Sequence, residues 1–381
     1  MDFSFTEEQT LLRNSVEKYL ADNYKFEDWR KFTRGDVGRD PKHWSQFAEL
    51  GLLAAPLPEA YGGLGGDAVS SMIIMQEFGR SLVVEPYVPT VVVGGSVLTH
   101  GGSETQKEEW LAKIAAGETI MAFAFAESGG RFNLADLTTT AKKQGSGYVL
   151  NGQKSVVIAG PWADQLIVTA RTSGGRRDAK GVSVFLVDKK AKGVSVRDFP
   201  TVDSSRASEV TFENVEVPAD RLIGELDNGL PLIERAVDEA IAATCAEATG
   251  AMKVLVDATV EYSKQRKQFG VPIGKFQALQ HRMVDMFVNS EQSTSITLMV
   301  TLNLGSSDVE RKKAASAAKV QIGNSGRFVG QGAVQIHGGM GMTDELNVGH
   351  YFKRLTTIDT LYGNVDYHLR RFAALDADKA A

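Results

Sequence analysis

The spacing of apolar residues along the chain changes twice. From the N-terminus to about Gly117 they recur at helical intervals. Thr6 followed by Gln9 has the form of a capping box, opening a helix with Leu12, Val16 and Leu20 on one face and Leu11 beside them. Trp44, Phe47, Leu50 and Leu52 predict a second helix, and Ala68 to Leu82 a third. Between them, Gly51 to Gly66 is rich in glycine and proline and reads as a loop. Ser103 can cap a further helix, whose Lys107, Glu108, Glu109 and Lys113 make a solvated face. From Thr119 to about Pro218 the period falls to that of short strands. Residues 148–150, 155–158, 166–169, 182–187 and 210–212 are β-rich runs, punctuated by turn residues such as Asn151-Gly152. A succession of short strands predicts a small barrel or sandwich. Beyond Ile223-Gly224 the helical period returns. Stripes at Leu232–Val260, Phe276–Leu304, Val309–Val329 and Phe352–Phe372, with a capping box at Ser307 and Glu310, predict a bundle of four long helices. The fold class is α+β: helical residues 1–118, a middle β-barrel over 119–224, and a helical bundle over 225–381.

Composition narrows the function classes. The net charge of -5 is dispersed, which argues against nucleic acid or an anionic membrane as the main partner. Cys245 is the only cysteine, so an internal disulfide is excluded and a reducing compartment is expected. Its setting, IAATCAEATG, predicts a small core residue. The opening MDFSFTEEQ has neither the basic nor the apolar region of a secretory signal, and no apolar run reaches spanning length. A cytoplasmic location is expected. His43, His100, His281, His337, His350 and His368 lack metal-ligand spacing. Neither GxSxG nor a GxGxxG after a strand is present.

One stretch carries a candidate site. SKQRKQFGVPIGKFQALQHRMVDM, Ser263 to Met286, sets Lys264, Arg266 and Lys267 at a helix end. Phe269-Gly270 and Pro272/Gly274 break that helix, and a new one follows. The cations could complement the helix dipole. Arginine beside exposed backbone also suits a diphosphate. The residues alone leave both roles open.

The order of these segments, and the words within them, resemble the acyl-CoA dehydrogenase family. The resemblance rests on FTEEQTLLRNSVEKYL, GLLAAPLPEAYGGLG, EEWLAKIAAGE, GYVLNGQKSVVIAGPWADQLIVTART, YSKQRKQFGVPIGKFQALQHRMVDM and VQIHGGMGMTDELNVGHYFKR, and covers nearly the whole chain. It implies FAD as cofactor and an acyl-CoA thioester as substrate, oxidised at Cα–Cβ. A carboxylate takes the Cα proton and the Cβ hydrogen leaves as hydride to the flavin. An electron-transfer flavoprotein is the implied acceptor. In the family each flavin lies between two chains: one offers barrel strands to the ring and carries the base, and its neighbour holds the ADP half.

By this resemblance the ADP half is intact. Arg266 and Phe269 match the family's arginine–phenylalanine turn, and Phe276 and Gln277 the next contacting pair. Gln335, Gly338 and Gly339 match the loop near adenine and diphosphate. The ring half departs from the pattern. Ala126 stands where the family has threonine, and Arg131, Phe132 and Asn133 where it has glycine, serine and aspartate. Val156, Val157 and Ile158 replace an aromatic–isoleucine–threonine run. The base is also displaced. Tyr362 occupies the position of the C-terminal glutamate, and Ala240 the alternative position in the bundle. Asp238 matches a family aspartate near substrate and is a weak substrate candidate. Glu239 or Glu247 could be a relocated base; Glu247 lies about two turns from Ala240 on the same face. Tyrosine, with a pKa near ~10, is a poor base for this step. Three functions are therefore expected in descending order. The first is a subunit that completes the flavin site of an unlike catalytic chain in a heteromer. The second is a homo-oligomeric dehydrogenase with a relocated base. The third is a flavin-free assembly protein.

Overall fold

The computed structural model describes residues 4–377. The helices in chain order are α1 (Glu7–Asn23), α2 (Phe26–Arg34), α3 (Pro41–Glu49), α4 (Ala68–Ser81), α5 (Gly95–Gly101) and α6 (Glu104–Ala115). The strands follow: β1 (Met121–Ala124), β2 (Thr140–Gln144), β3 (Gly147–Ile158), β4 (Gln165–Arg171), β5 (Val182–Asp188), β6 (Val194–Pro200), β7 (Arg206–Pro218) and β8 (Leu222–Ile223). Then come α7 (Leu230–Gln265), a small hairpin of β9 (Lys267–Gln268) and β10 (Val271–Pro272), α8 (Gln277–Leu302), α9 (Asp308–His337), α10 (Val348–Thr360) and α11 (Val365–Ala377). All three expected N-caps form: Thr6 with Gln9, Ser103 with Gln106, and Ser307 with Glu310 close reciprocal capping boxes.

The described residues fall into two compact units. One comprises the chain up to Lys31, Ala68–Val83 and everything from Ile241 on. In it α1 packs on α4, and α9 runs between α8, α10 and α11. Its core includes Val16, Ile73, Ile74, Leu255, Ala315, Ala318 and Val329. Helices α4 and α7 touch backbone to backbone at two glycines. A Cβ on Gly250 would lie 2.0 Å from the Gln76 carbonyl oxygen, and one on Gly79 1.9 Å from that of Glu247. Only glycine permits that approach. Cys245 is a core residue there, as its helical setting predicted, and burial pushes its thiol up to about 12.

The other unit comprises Phe32–Asp67 and Val84–Ala240. Its strands form one sheet in the order β6-β7-β3-β2-β4-β5-β8, with β1 pairing parallel to β4. Strands β4 and β5 are buried almost throughout, as their unbroken apolar runs require. The end strands β6 and β8 are not paired with each other, so the ladder is an open path among the described residues.

Two expectations need correction. The Phe352–Phe372 stripe is two helices, not one. Tyr362 adopts φ 58° and Gly363 φ 117°, which no helix continues through, and the Asn364 side chain accepts from the Tyr367 amide to start α11. The strand runs also understate the sheet: β1 and β2 lack a β-branched alternation and that of β6 stops after Arg197, and pairing with their neighbours recruits all three. The glycine-rich Gly51–Gly66 segment is turns with one 3-10 turn at Glu59–Tyr61, as expected of a loop.

Candidate functional site: an exposed cradle and a buried ion pair

The end of α7 is shaped by its sequence. The β9–β10 hairpin pairs Gln268 with Val271 and Lys267 with Pro272, so Phe269 and Gly270 are its two-residue turn. Both have positive φ, 54° and 82°, as a tight hairpin of this kind requires. Glycine tolerates that; an aromatic residue is strained by it. Phe269 is nevertheless 92% exposed, with Phe276 edge-on to it at 6.2 Å between centroids. A strained, solvated phenylalanine is unexplained by the packing of this chain.

The same unit brings a second segment beside this turn. Tyr262, one turn before Arg266, stacks on His337 at 4.3 Å, and its hydroxyl donates to the His337 carbonyl at 3.4 Å. His337 is buried and anchored by a 2.8 Å bond from Nδ1 to the Ala333 carbonyl, and burial lowers its pKa. Gly338, with φ 60° and ψ −141°, ends α9 in a conformation open to glycine alone. A Cβ on Gly338 or Gly339 would meet nothing within 4 Å. The side chains of Arg266, Gln277 and Gln335 are exposed, and none has a side-chain partner among the described residues. Arg266, Phe269, Phe276, Gln277, Gln335, Gly338 and Gly339, singled out separately in the sequence, thus share one unit and one exposed end of it.

The family's base position looks different. Tyr362 is largely buried, its phenol pushed well up by burial, with Arg354 opposing and Glu247 reinforcing. Beside it Glu247, 3% exposed, is held by Arg354 through two bonds, Nε to Oε1 at 2.5 Å and Nη2 to Oε2 at 2.7 Å. This bidentate pair occupies both carboxylate oxygens of one relocated-base candidate. The turn behind Tyr362 is pinned from below. His368 Nε2 donates to the Tyr362 carbonyl at 3.1 Å, and buried Lys319 donates to the carbonyls of Ile358 and Asp359.

In the other unit Ala240 and Asp238 are fully buried in α7. Glu239 pairs with Arg235 at 3.2 Å and His100 at 3.5 Å. The ring-side strands carry a buried ion pair that patterning did not single out: Lys154 Nζ donates to Glu127 at 2.8 Å, to Thr169 at 3.2 Å and to the Phe125 carbonyl at 3.3 Å. Glu127 also accepts from the Thr138 amide and hydroxyl and the Thr139 amide. Burial pulls Lys154 down to about 8; the ammonium and these donors hold Glu127 at about 2. The available signal was a lysine inside the β run NGQKSVVI. Val156, at φ 49°, sits in the register shift between Lys154 and Val157 and is 51% exposed. A β-branched residue there is strained. Arg131, at φ 48°, is likewise exposed, and the Asn133 side chain is used in its own turn, accepting from the Ala135 amide. No group of acidic, cysteine or histidine side chains among the described residues could hold a metal, and no described helix is long and apolar enough to cross a membrane.

An α+β fold ending in a helical unit with an open arginine–glycine cradle is compatible with a flavoprotein oxidoreductase. The chain belongs to the acyl-CoA dehydrogenase family. It matches the family's N-terminal domain over residues 6–118, its middle domain over 122–215 and its C-terminal domain over 227–374. It is 31% identical to a probable acyl-CoA dehydrogenase, YngJ, of Bacillus subtilis, across 91% of this chain and 92% of that one. Among solved structures it is similar to the ChsE4-ChsE5 complex from Mycobacterium tuberculosis (TM-score 0.90, 25% identity, 99% of each chain). It is also similar to the Tcur3481-Tcur3483 steroid ACAD G363A variant (TM-score 0.89, 28% identity, 98% of this chain and 99% of that one). The family is FAD-dependent and acts as an oxidoreductase on acyl-CoA. The cradle fits the ADP half of FAD: an unpartnered guanidinium, two glycines open to close backbone approach, and exposed aromatic rings.

Proposed function

We propose that this chain is the flavin-completing subunit of a two-chain acyl-CoA dehydrogenase. It supplies the ADP-side half of an FAD site shared with an unlike chain that carries the catalytic carboxylate. The observation that supports this most is a contrast within one unit: the ADP cradle is open and unpartnered, while the base position holds a buried phenol beside a locked ion pair. FAD supplies the hydride acceptor. Arg266 would hold the diphosphate, Gly338 and Gly339 would admit it closely, and Phe269, Phe276, Gln277 and Gln335 would complete the ADP-side surface. The sidedness also has support in the β-unit, where Ala126, Val156, Val157 and Ile158 offer no hydroxyl to a flavin ring.

The homomeric alternative asks Glu239 or Glu247 to act as base. Glu247 has both oxygens engaged by Arg354, and Glu239 is held by Arg235 with His100 beside it, so each carboxylate is already occupied within the chain. An assembly protein without flavin leaves the strain at Phe269 and the free Arg266 without a use. The substrate is an acyl-CoA; by analogy with the steroid ACAD neighbour, a bulky acyl group such as a steroid side chain is a reasonable first choice. An electron-transfer flavoprotein is the proposed acceptor and the cytoplasm the proposed location. The test is to produce the chain alone and together with an unlike dehydrogenase chain bearing the glutamate, and to measure flavin per chain. Little FAD alone and one FAD per unlike pair is expected. An active homotetramer fully loaded with FAD would overturn the proposal.

A further inference from the structure

The cradle is made of two segments far apart in the sequence: Arg266 at the close of α7, and Gly338 and Gly339 just past the end of α9. An exposed glycine has no side chain with which to fix its distance from an arginine. One link behind the exposed surface joins the two. The Arg266 amide donates to the Tyr262 carbonyl at 2.9 Å, and the Arg266 carbonyl accepts from the Ile273 amide at 2.8 Å. The main chain of Arg266 is thus held between the last turn of α7 and the segment that leaves β10. Tyr262 in turn stacks on His337, with ring centroids 4.3 Å and planes 28° apart. His337 ends α9 and is followed directly by Gly338.

His337 is itself firmly seated. It is buried, and its Nδ1 donates to the Ala333 carbonyl at 2.8 Å. The Gly338–Met342 turn folds back over it so closely that a Cβ on Gly341 would lie 3.1 Å from the His337 Cβ. The Tyr262 hydroxyl donates to the His337 carbonyl at 3.4 Å, long for a hydroxyl bond, so the stacked rings are the firmer part of the link. Charge at the end of α9 gives this link a second use. A helix C-terminus presents unpaired carbonyls and a partial negative charge, which oppose a diphosphate. Here the Gly338 amide occupies the Gln335 carbonyl and the Tyr262 hydroxyl the His337 carbonyl.

We infer that Tyr262 and His337 are positioning residues for the cofactor: their stack holds Arg266 and the Gly338–Gly339 turn at the separation that the diphosphate of FAD needs. They act through Arg266 and the glycines. The inference rests on the proposed function in one respect only, that this cradle takes the ADP half of FAD.

The experiment is a titration of the assembled two-chain complex, stripped of flavin, with FAD itself as probe and binding read by fluorescence. Removing the stack with Tyr262→Ala or His337→Ala should weaken FAD binding by about three- to tenfold, the equivalent of one aromatic pair. Tyr262→Phe and His337→Phe keep two stacked rings and should bind within about twofold of the wild type. In an Arg266→Ala background the alanine substitutions should cost less than about twofold, because residues that act through one another are not additive. A residue that merely supports the fold would instead lower the thermal midpoint and leave the affinity of the folded complex unaltered. Thermal unfolding of each variant separates these two effects. Tyr262 is only half-buried, so its truncation keeps the test readable should His337→Ala fail to fold. Unchanged FAD affinity without the stack, an equal loss in the phenylalanine variants, or full additivity with Arg266→Ala would overturn the inference. A fully loaded homotetramer would overturn the two-chain reading instead, and the same titrations run on that homotetramer would still decide the role of the stack.

Discussion

Arg266 and Tyr362 carry opposite assignments, and each can be tested by a single substitution. Arg266 has no side-chain partner among the described residues, so removing it costs the fold little beyond a helix-end charge. Arg266→Ala should weaken FAD binding by the assembled complex by about 1.5–3 kcal/mol, the scale of a charged hydrogen bond. Flavin titration checks this; unchanged affinity would return the residue to complementing the α7 dipole. Tyr362 is expected to fill space. Its phenol is pushed up by burial and by Glu247, so it does not ionise at neutral pH. Tyr362→Phe should change the rate of flavin reduction in the complex by less than about tenfold, against the roughly 10²–10⁴ of losing a general base. Stopped-flow measurement across pH decides, and a loss of about a hundredfold would make Tyr362 catalytic. At this scale the cradle residues were legible because each sits in a distinctive local word, RKQFG, GKFQ or QIHGG. The Glu247–Arg354 pair was not, because 107 residues separate its partners and nothing local in either segment couples the two side chains.

The elements behind Tyr362 titrate. His368 lies in α11, fully buried, between the Tyr362 carbonyl and the Ser316 hydroxyl. Burial first, then Lys319 and Arg371, lower its pKa from 6.5 to about 3. It is therefore neutral in the fold, while the unfolded chain takes up a proton near 6.5. Stability is full above that value and falls as pH drops from about 6.5 toward 3. Glu127 adds to the loss lower down: it contributes above about 4.5, and that contribution disappears as pH falls toward 2. Thermal unfolding between pH 7 and 4 should show a declining midpoint, and His368→Gln should flatten the upper part of that decline. An unaltered slope would contradict the buried neutral imidazole. Helices were the legible elements, because caps and the 3.6 period act within a few residues. The break at Tyr362–Asn364 was hidden, since an apolar stripe runs through it and only the positive φ at Tyr362 and Gly363 divides it. Strands β2 and β6 were hidden for the same kind of reason: ladder partners from distant sequence, not their own alternation, make them strands.

For the whole molecule, the order of helical, β and helical segments was readable from the period of the apolar residues, and the family from the words within them. What a single chain's pattern does not contain is its neighbour. The exposed Phe269 and the unpartnered Arg266 each look like errors in one chain and become sensible when the proposed second chain is added. The central claim is that two unlike chains share one flavin, and flavin stoichiometry tests it most directly. The purified two-chain complex should contain one FAD per unlike pair and oxidise its acyl-CoA, while this chain alone stays nearly colourless. One FAD bound per copy of this chain in the absence of any partner, with acyl-CoA oxidation, would contradict it.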